Sequence, residues 1–425
     1  MFDIILEEPY EFVPPVESRF WTWVVRTFRL RPFLRDTYRV ESFDCRGVEK
    51  LRASLDSGCG VILAANHSRL ADPLALGVLS GEAGCELFAM ASWHLFKESA
   101  WQRWLIRRMG AFSVYREGTD RQAVSHAIDV LVQGRRPLLI FPEGAVSRHC
   151  DRLMELMDGP GFIARQAAKK RAKAGAAPVV IHPVAVRYHF DGDADAAIAA
   201  DLEQLESTFS WQPQLHLSTQ ERLRKIGRAL LTLKEIEYTG EAGVGDAHER
   251  ADRLIATVLR RLEERWGIAG DADEGAANVV PRVKKVRSVV LPDLIDKKVT
   301  PAERDSRWRD LAACYYLQQI AHYPRGYLTG QNDLPERVLE TVERMIEDYQ
   351  DRVSYHGPLT CTMVVDDPIE VSAERDRSSQ GDPAMNRTAE RIQAMLDGLV
   401  EERRRRLFGT DEAPKSAAAA AVAAT

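Results

Sequence analysis

Gly60-Val61-Ile62-Leu63-Ala64-Ala65-Asn66-His67-Ser68-Arg69-Leu70-Ala71-Asp72-Pro73 is the stretch whose reading decides the fold. Residues 60–65 form a short run of small and apolar side chains, the pattern of a strand covered on both faces. A polar turn follows where the run stops. Pro73 suits the first turn of a helix, and an aspartate just before it is a standard opening. Strand, turn and helix in this order make one unit of an α/β sheet, and such sheets collect reactive groups at the carboxyl ends of their strands.

The same rhythm continues outward. Apolar β-type runs at Glu86–Ala91, Ala111–Tyr115, Pro137–Phe141 and Val179–Arg187 alternate with helical patterns near 47–57, 73–80, 96–109, 119–133 and 161–174. This alternation predicts an α/β domain, a sheet flanked by helices. Residues 194–355 carry charged helical patterns near 219–234, 247–266, 301–321 and 334–353, with breaks at Gly240–Gly245 and Gly267–Asn278. Thr360–Val365 reads as a strand again, then Pro368–Val371, a polar loop and a helix over 384–406. A strand so late implies that the chain returns to its first sheet. The expected organisation is therefore an amphipathic segment 1–40, an α/β domain 41–193 plus 356–406, a helical insertion 194–355 and a flexible tail 407–425. Ala417–Thr425 is expected to be disordered.

Composition narrows the function. The 425 residues are 45% hydrophobic and 28% charged, ordinary for globular protein. A net charge of −5 gives no basic field for nucleic acid. The six cysteines form no CxxC pair, so neither zinc nor a redox motif is indicated, and a reducing cytoplasm fits. Met1–Tyr10 is acidic and does not read as a secretory signal. No run approaches the roughly 18 apolar residues of a spanning helix. Arg19–Arg39 holds six arginines against Asp36, interleaved with Phe20, Trp21, Trp23, Val24, Val25, Phe28 and Phe33. A helix there puts Phe20, Val24 and Phe28 on one face and Thr22, Arg26 and Arg29 on another, and Pro32 is expected to end it. The segment suits a membrane interface, or a helix packed on the domain with its arginines in solvent.

His67 is the side chain best able to take a proton near neutral pH, and Asp72 is a carboxylate able to fix its tautomer. Five residues apart, they do not face each other on a regular helix, so contact requires a turn. The plainer alternative is that Asp72 only caps the helix and His67 only closes the turn. Phe141-Pro142-Glu143-Gly144-Ala145-Val146-Ser147-Arg148 follows another strand, and its main-chain N–H groups and Arg148 suit an anion, or it is simply a surface turn. Arg116 closes the short strand after Gly110. Pro178–Val186 is a core strand, and His182 and His94 read as structural.

Taken in order, NHSRLAD, GAFSVYR, FPEGAVSR and VVIHPVAV resemble the four motifs of the lysophosphatidate (1-acylglycerol-3-phosphate) acyltransferase family, the PlsC-type glycerolipid acyltransferases. The first matches that family's NHxxxxD in full. The third departs from its FPEGTRS-like form, because the arginine falls two positions later, at Arg148. The resemblance covers about residues 45–190, with Thr360–Val371 like the segment that closes such domains; residues 194–355 resemble nothing recognised. It implies a mixed central sheet, and direct transfer with no acyl-enzyme and no cofactor or metal. His67 would deprotonate the acceptor hydroxyl and Asp72 would orient His67. Arg116, Glu143, Gly144, Ser147 and Arg148 would hold the acceptor's polar head, supported by Asn66, Pro142 and Pro183. The donor would be acyl-CoA or acyl-carrier protein, its phosphates meeting Lys169, Lys170, Arg171 and Lys173. The acceptor would be a lysolipid such as 1-acylglycerol-3-phosphate. The protein would be cytoplasmic and peripheral on the inner face of the membrane, held through Arg19–Arg39. Two alternatives stay open: an acyltransferase for another lipid or hydroxyl acceptor, and a catalytically silent membrane-associated binding protein.

Overall fold

A computed structural model describes residues 5–118, 120–209, 212–268, 275–329, 333–374 and 381–409. The alanine-rich tail and most of the expected flexible segment lie outside the described residues.

The strands are β1 (Val40–Arg46), β2 (Gly60–Ala65), β3 (Phe88–Ser92), β4 (Ala111–Val114), β5 (Leu138–Ile140), β6 (Val179–Phe190), β7 (Leu359–Val365) and β8 (Ile369–Glu370). They form one eight-stranded sheet in the order β1-β7-β6-β2-β5-β3-β4, with β8 paired to β6. The sheet is mixed. β2 runs parallel to β5 and β6, and β3 parallel to β4 and β5. β7 and β8 run antiparallel to β6, and β7 lies parallel to β1.

The helices are α1 (Arg19–Val25), α2 (Arg31–Tyr38), α3 (Val48–Asp56), α4 (Asp72–Ala83), α5 (Ala100–Arg108), α6 (Arg121–Gln133), α7 (Gly159–Lys173), α8 (Ala194–Thr208), α9 (Thr219–Thr239), α10 (Ala247–Arg265), α11 (Val279–Ile295), α12 (Pro301–Ala321), α13 (Pro335–Gln350) and α14 (Pro383–Phe408). Side chains alternate across β2 and feed two cores. Val61, Leu63 and Ala65 join α4, α8 and α13 on one face; Ile62 and Ala64 join α6 and α7 on the other. Burial of both faces explains why β2 has no polar position before Asn66.

The six helices between β6 and β7 divide by core. Val338, Leu339, Val342 and Ile346 of α13 belong to the core of the sheet, as do Ile198, Leu202 and Leu205 of α8. α10, α11 and α12 build a separate core from Leu259, Val286, Leu311 and Leu317 among others. Ile5 joins that second core, and Glu7 pairs with Arg304 at 2.8 Å. Between them and α1, the chain runs along the β4 edge, where Ser113 N–H donates to Val13 O at 3.0 Å.

Pro32 does not end the N-terminal helix. α1 leads through a π-helical turn, Arg26–Leu30, straight into α2, and Pro32 occupies the first turn of α2. The wider turn before it accommodates a residue without an N–H. Arg39, in the left-handed region at φ 61°, closes the segment instead. Thr22, Leu30 and Leu34 are buried, and Arg26 crosses Gly81 to donate to Cys85 O at 3.0 Å. The aromatic side chains face outward: Phe20 is 63% exposed and Phe28 60%, with Trp23 and Phe33 also exposed. Trp21 meets Trp104 of α5 edge to face, with centroids 4.9 Å apart, and Arg29, Arg31, Arg35 and Arg39 are exposed, so the segment both packs on the domain and presents aromatics and arginines outward. Among the described residues no helix is long and apolar enough to cross a membrane.

Candidate active site

β2 and β5 are parallel neighbours, so the turns that follow them emerge at the same end of the sheet. Asn66 ends β2. Its carboxamide donates to Val186 O at 2.9 Å and accepts from Val186 N–H at 2.7 Å, filling the place of a continuing strand. The chain is thereby released into the turn that carries His67.

His67 is fixed from four sides. Its N–H donates to Glu143 Oε1 at 2.5 Å, and its carbonyl accepts from Ser147 N–H at 2.7 Å. Its ring stacks on Phe141, with centroids 4.0 Å apart. Nδ1 lies 2.9 Å from Asp72 Oδ2. A carboxylate accepts only, so Nδ1 carries the proton and Nε2 is left as the basic nitrogen. The side chain is 15% exposed.

Asp72 is fully buried, and its charge is held by a complete set of donors. Oδ2 also accepts from Arg69 N–H at 2.9 Å, and Oδ1 accepts from the Tyr188 hydroxyl at 2.6 Å. Burial, with the adjacent Asp72 charge, pushes the Tyr188 phenol well above its ordinary range, so it stays a donor. Asp72 is not the N-cap of α4; Ala71 is, and no side chain caps the helix. The carboxylate turns back into the turn instead, where Asp72 N–H donates to Arg69 O at 3.1 Å. That turn is what brings together two residues five apart.

The second turn is clasped to the first. Glu143 is buried, and its other oxygen, Oε2, accepts from Met154 N–H at 2.9 Å. Burial raises its carboxyl to about 8, against the pull of the two amide donors. Pro142 O accepts from Met157 N–H at 2.9 Å. Gly144 sits at φ +70°, the left-handed backbone that favours glycine. Arg116 donates to Gly144 O at 2.6 Å, and burial lowers its pKa. The Ser147 hydroxyl donates to His149 O at 3.0 Å.

Asn66, His67, Asp72, Pro142, Glu143, Gly144, Ser147 and Arg116 thus converge. Arg148 is drawn elsewhere. At φ 63° it points toward α13 and pairs with Glu347. Arg69 also turns to α13, meeting Glu343 at 2.8 Å and Glu340 at 3.8 Å. Pro183 pairs in register with Ala64 beside β2, below the site. The basic cluster of α7 lies at the far end of the sheet. Arg171 is buried there and donates to Leu131 O, Val132 O, Ala177 O and Gly58 O, the last ahead of the start of β2. Lys170 pairs with Asp129 at 3.2 Å. The expectation that this cluster meets the donor's phosphates is corrected for Arg171, which is spent on carbonyls that the helix and strand ends leave open, while Lys169 and Lys173 are exposed.

Three contributors escaped the sequence reading. Tyr188 lies in β6 just past the stretch whose pattern reads as core, where a buried tyrosine hydroxyl needs a partner. Phe141 was read only as a strand end. Glu340, Glu343 and Glu347 fall at spacings of three and four, one stripe of α13, and such a stripe of acids marks a face that meets cations.

A mixed α/β sheet with a histidine–aspartate pair on the turn after a buried strand is laid out for removing a proton from a bound hydroxyl. Residues 42–187 match the family described as Acyltransferase, a span running from β1 into β6 and containing both turns. The chain thus carries an acyltransferase domain. No curated protein matches the chain.

Proposed function

We propose that the chain transfers an acyl group from a thioester to the hydroxyl of a lysolipid-type acceptor, with His67 as general base. The supporting observation is the 2.9 Å contact from His67 Nδ1 to an Asp72 carboxylate that is itself buried and fully bonded. The acceptor O–H gives its proton to Nε2 as the oxygen attacks the thioester carbonyl. The tetrahedral intermediate expels the thiolate, which takes the proton back from His67. The carboxylate stabilises the imidazolium between these steps. The transfer is direct, with no covalent acyl-enzyme, since among the described residues no serine or cysteine stands as an obvious nucleophile.

The donor on this reading is acyl-CoA or acyl-carrier protein. The motif order suggests 1-acylglycerol-3-phosphate as acceptor, with Arg116, Gly144 and Ser147 near its head and Glu143 holding the two turns in place. A different hydroxyl acceptor is favoured by one observation, the pairing of Arg148 with Glu347. A silent binding protein would not require the bonded His67–Asp72 pair. The protein reaches lipid as a peripheral protein on the cytoplasmic face, through the outward aromatic face of α1 and α2. Each arginine beside an anionic leaflet adds about 1 kcal/mol, and the aromatic side chains add buried apolar area.

The test is a panel of lysolipid acceptors presented in anionic vesicles with labelled acyl-CoA or acyl-carrier protein, following thiol release and acylated product. Release that depends on the acceptor supports the reading. Absence of release with every pair would end it.

A further inference from the structure

We propose that Glu347 of α13 is a specificity-determining residue. By pairing with Arg148 it withholds that guanidinium from the acceptor, so the site takes a lysolipid whose head bears no phosphate monoester. The proposal rests on the acyl-transfer reading above and names the acceptor class for the same site.

A phosphate monoester carries a charge of about −1.5 to −2 at neutral pH, and desolvating it requires more than one cation. Three arginines stand on the turns around His67: Arg69, Arg116 and Arg148. Arg148 is committed to Glu347. Arg69 is committed to Glu343 and Glu340. Arg344 of α13, which reaches the same place, donates to Ser147 O at 3.1 Å and His322 O at 2.9 Å. Arg116 alone is left without a carboxylate among the described residues, and one of its arms is held by Gly144 O. A single guanidinium does not balance a dianion, and Glu347 beside the turn would repel it.

A small cleft between the two turns and α13 offers no more to a phosphate. Ser68, Arg69, Arg148, Glu343, Glu347 and Tyr355 line it. Its guanidiniums and carboxylates balance, which leaves no net field for an anion. Glu340 Oε1 is buried there facing Arg69 at 3.8 Å.

The experiment compares 1-acylglycerol with 1-acylglycerol-3-phosphate, both dispersed in the same neutral detergent, as acceptors for full-length protein by thiol release. The wild type is expected to favour 1-acylglycerol by about tenfold or more in kcat/KM. Glu347→Gln should shift the ratio toward the phosphate-bearing acceptor by about tenfold, the size of one buried charge-assisted contact. Adding Arg148→Gln to that variant should cancel the shift, which a merely structural role for Glu347 does not predict. A wild type that favours the phosphate-bearing acceptor, or a ratio unmoved by Glu347→Gln in a folded protein, overturns the proposal while acyl transfer stands. No thiol release with either acceptor, or with the wider panel, removes the acyl-transfer reading and this proposal with it.

Discussion

The turns after β2 and β5 lie side by side, yet their polar side chains are satisfied from different parts of the chain. His67 and Asp72 are bonded by Glu143 and Arg69 N–H, inside the span that matches the acyltransferase family, and by Tyr188, one residue past its end. Arg69 and Arg148 are bonded by Glu343 and Glu347, on a helix some two hundred and more residues later in the chain. The difference teaches where each property is written. The His67–Asp72 geometry is internal to the sheet and its turns, whereas the charge around it is set by α13. Chemistry and selectivity can then be changed separately.

Changes at the first turn should have the largest effect. Asp72→Asn keeps the shape but offers the imidazole a neutral partner and permits the wrong tautomer. Thiol release should fall by roughly 10²- to 10⁴-fold with the melting temperature little changed. A loss of less than about threefold would show that Asp72 merely shapes the turn.

The clasp between the turns comes next. Glu143→Ala leaves His67 N–H and Met154 N–H without their carboxylate, at a cost of at least about 2 kcal/mol. Thermal unfolding should begin several degrees lower, and activity should fall with it. An unchanged melting temperature would mean that the two turns hold their places without Glu143.

A smaller effect sharpens the contrast from the side of α13. His149, in the second turn, and His322, after α12, are both buried, and burial together with nearby Arg344 lowers each to about 3. Both are neutral in the fold, so only the unfolded chain takes up protons below its ordinary histidine pKa. Their contribution is complete above about pH 6.5 and is lost as pH falls toward 3. At pH 5 the loss should reach about 1–2 kcal/mol per imidazole. Melting curves between pH 7 and pH 4.5 should therefore slope downward on acidification, and His149→Gln with His322→Gln should flatten the slope. An equal slope in both proteins would place the acid sensitivity elsewhere.

Much of the sheet was legible. β2 and α12 fall within the bounds their patterns suggest, because a fully buried strand and a well-capped helix each carry strong local signals. β1 was not anticipated: at the sheet edge, Val40–Arg46 is mostly only partly buried and mixes charge with apolar residues. α8 was not anticipated either, and α11 was obscured by Pro281 and Pro292. Pro281 lies in the first turn, where its missing N–H leaves nothing unpaired. The site was legible where its partners are close in sequence, as with His67 and Asp72. The displacement of Arg148 was visible, but its destination was not. Glu347 lies 199 residues away, and that contact is made by the packing of α13 rather than by any local pattern.

The central claim is that His67 is the base that activates the acceptor hydroxyl. The direct measurement is acceptor-dependent thiol release by purified wild type and His67→Ala, with equal melting temperatures established first. The account predicts that release falls by roughly two orders of magnitude or more in His67→Ala, as for the loss of a general base. Near-normal turnover by a folded His67→Ala protein would contradict it.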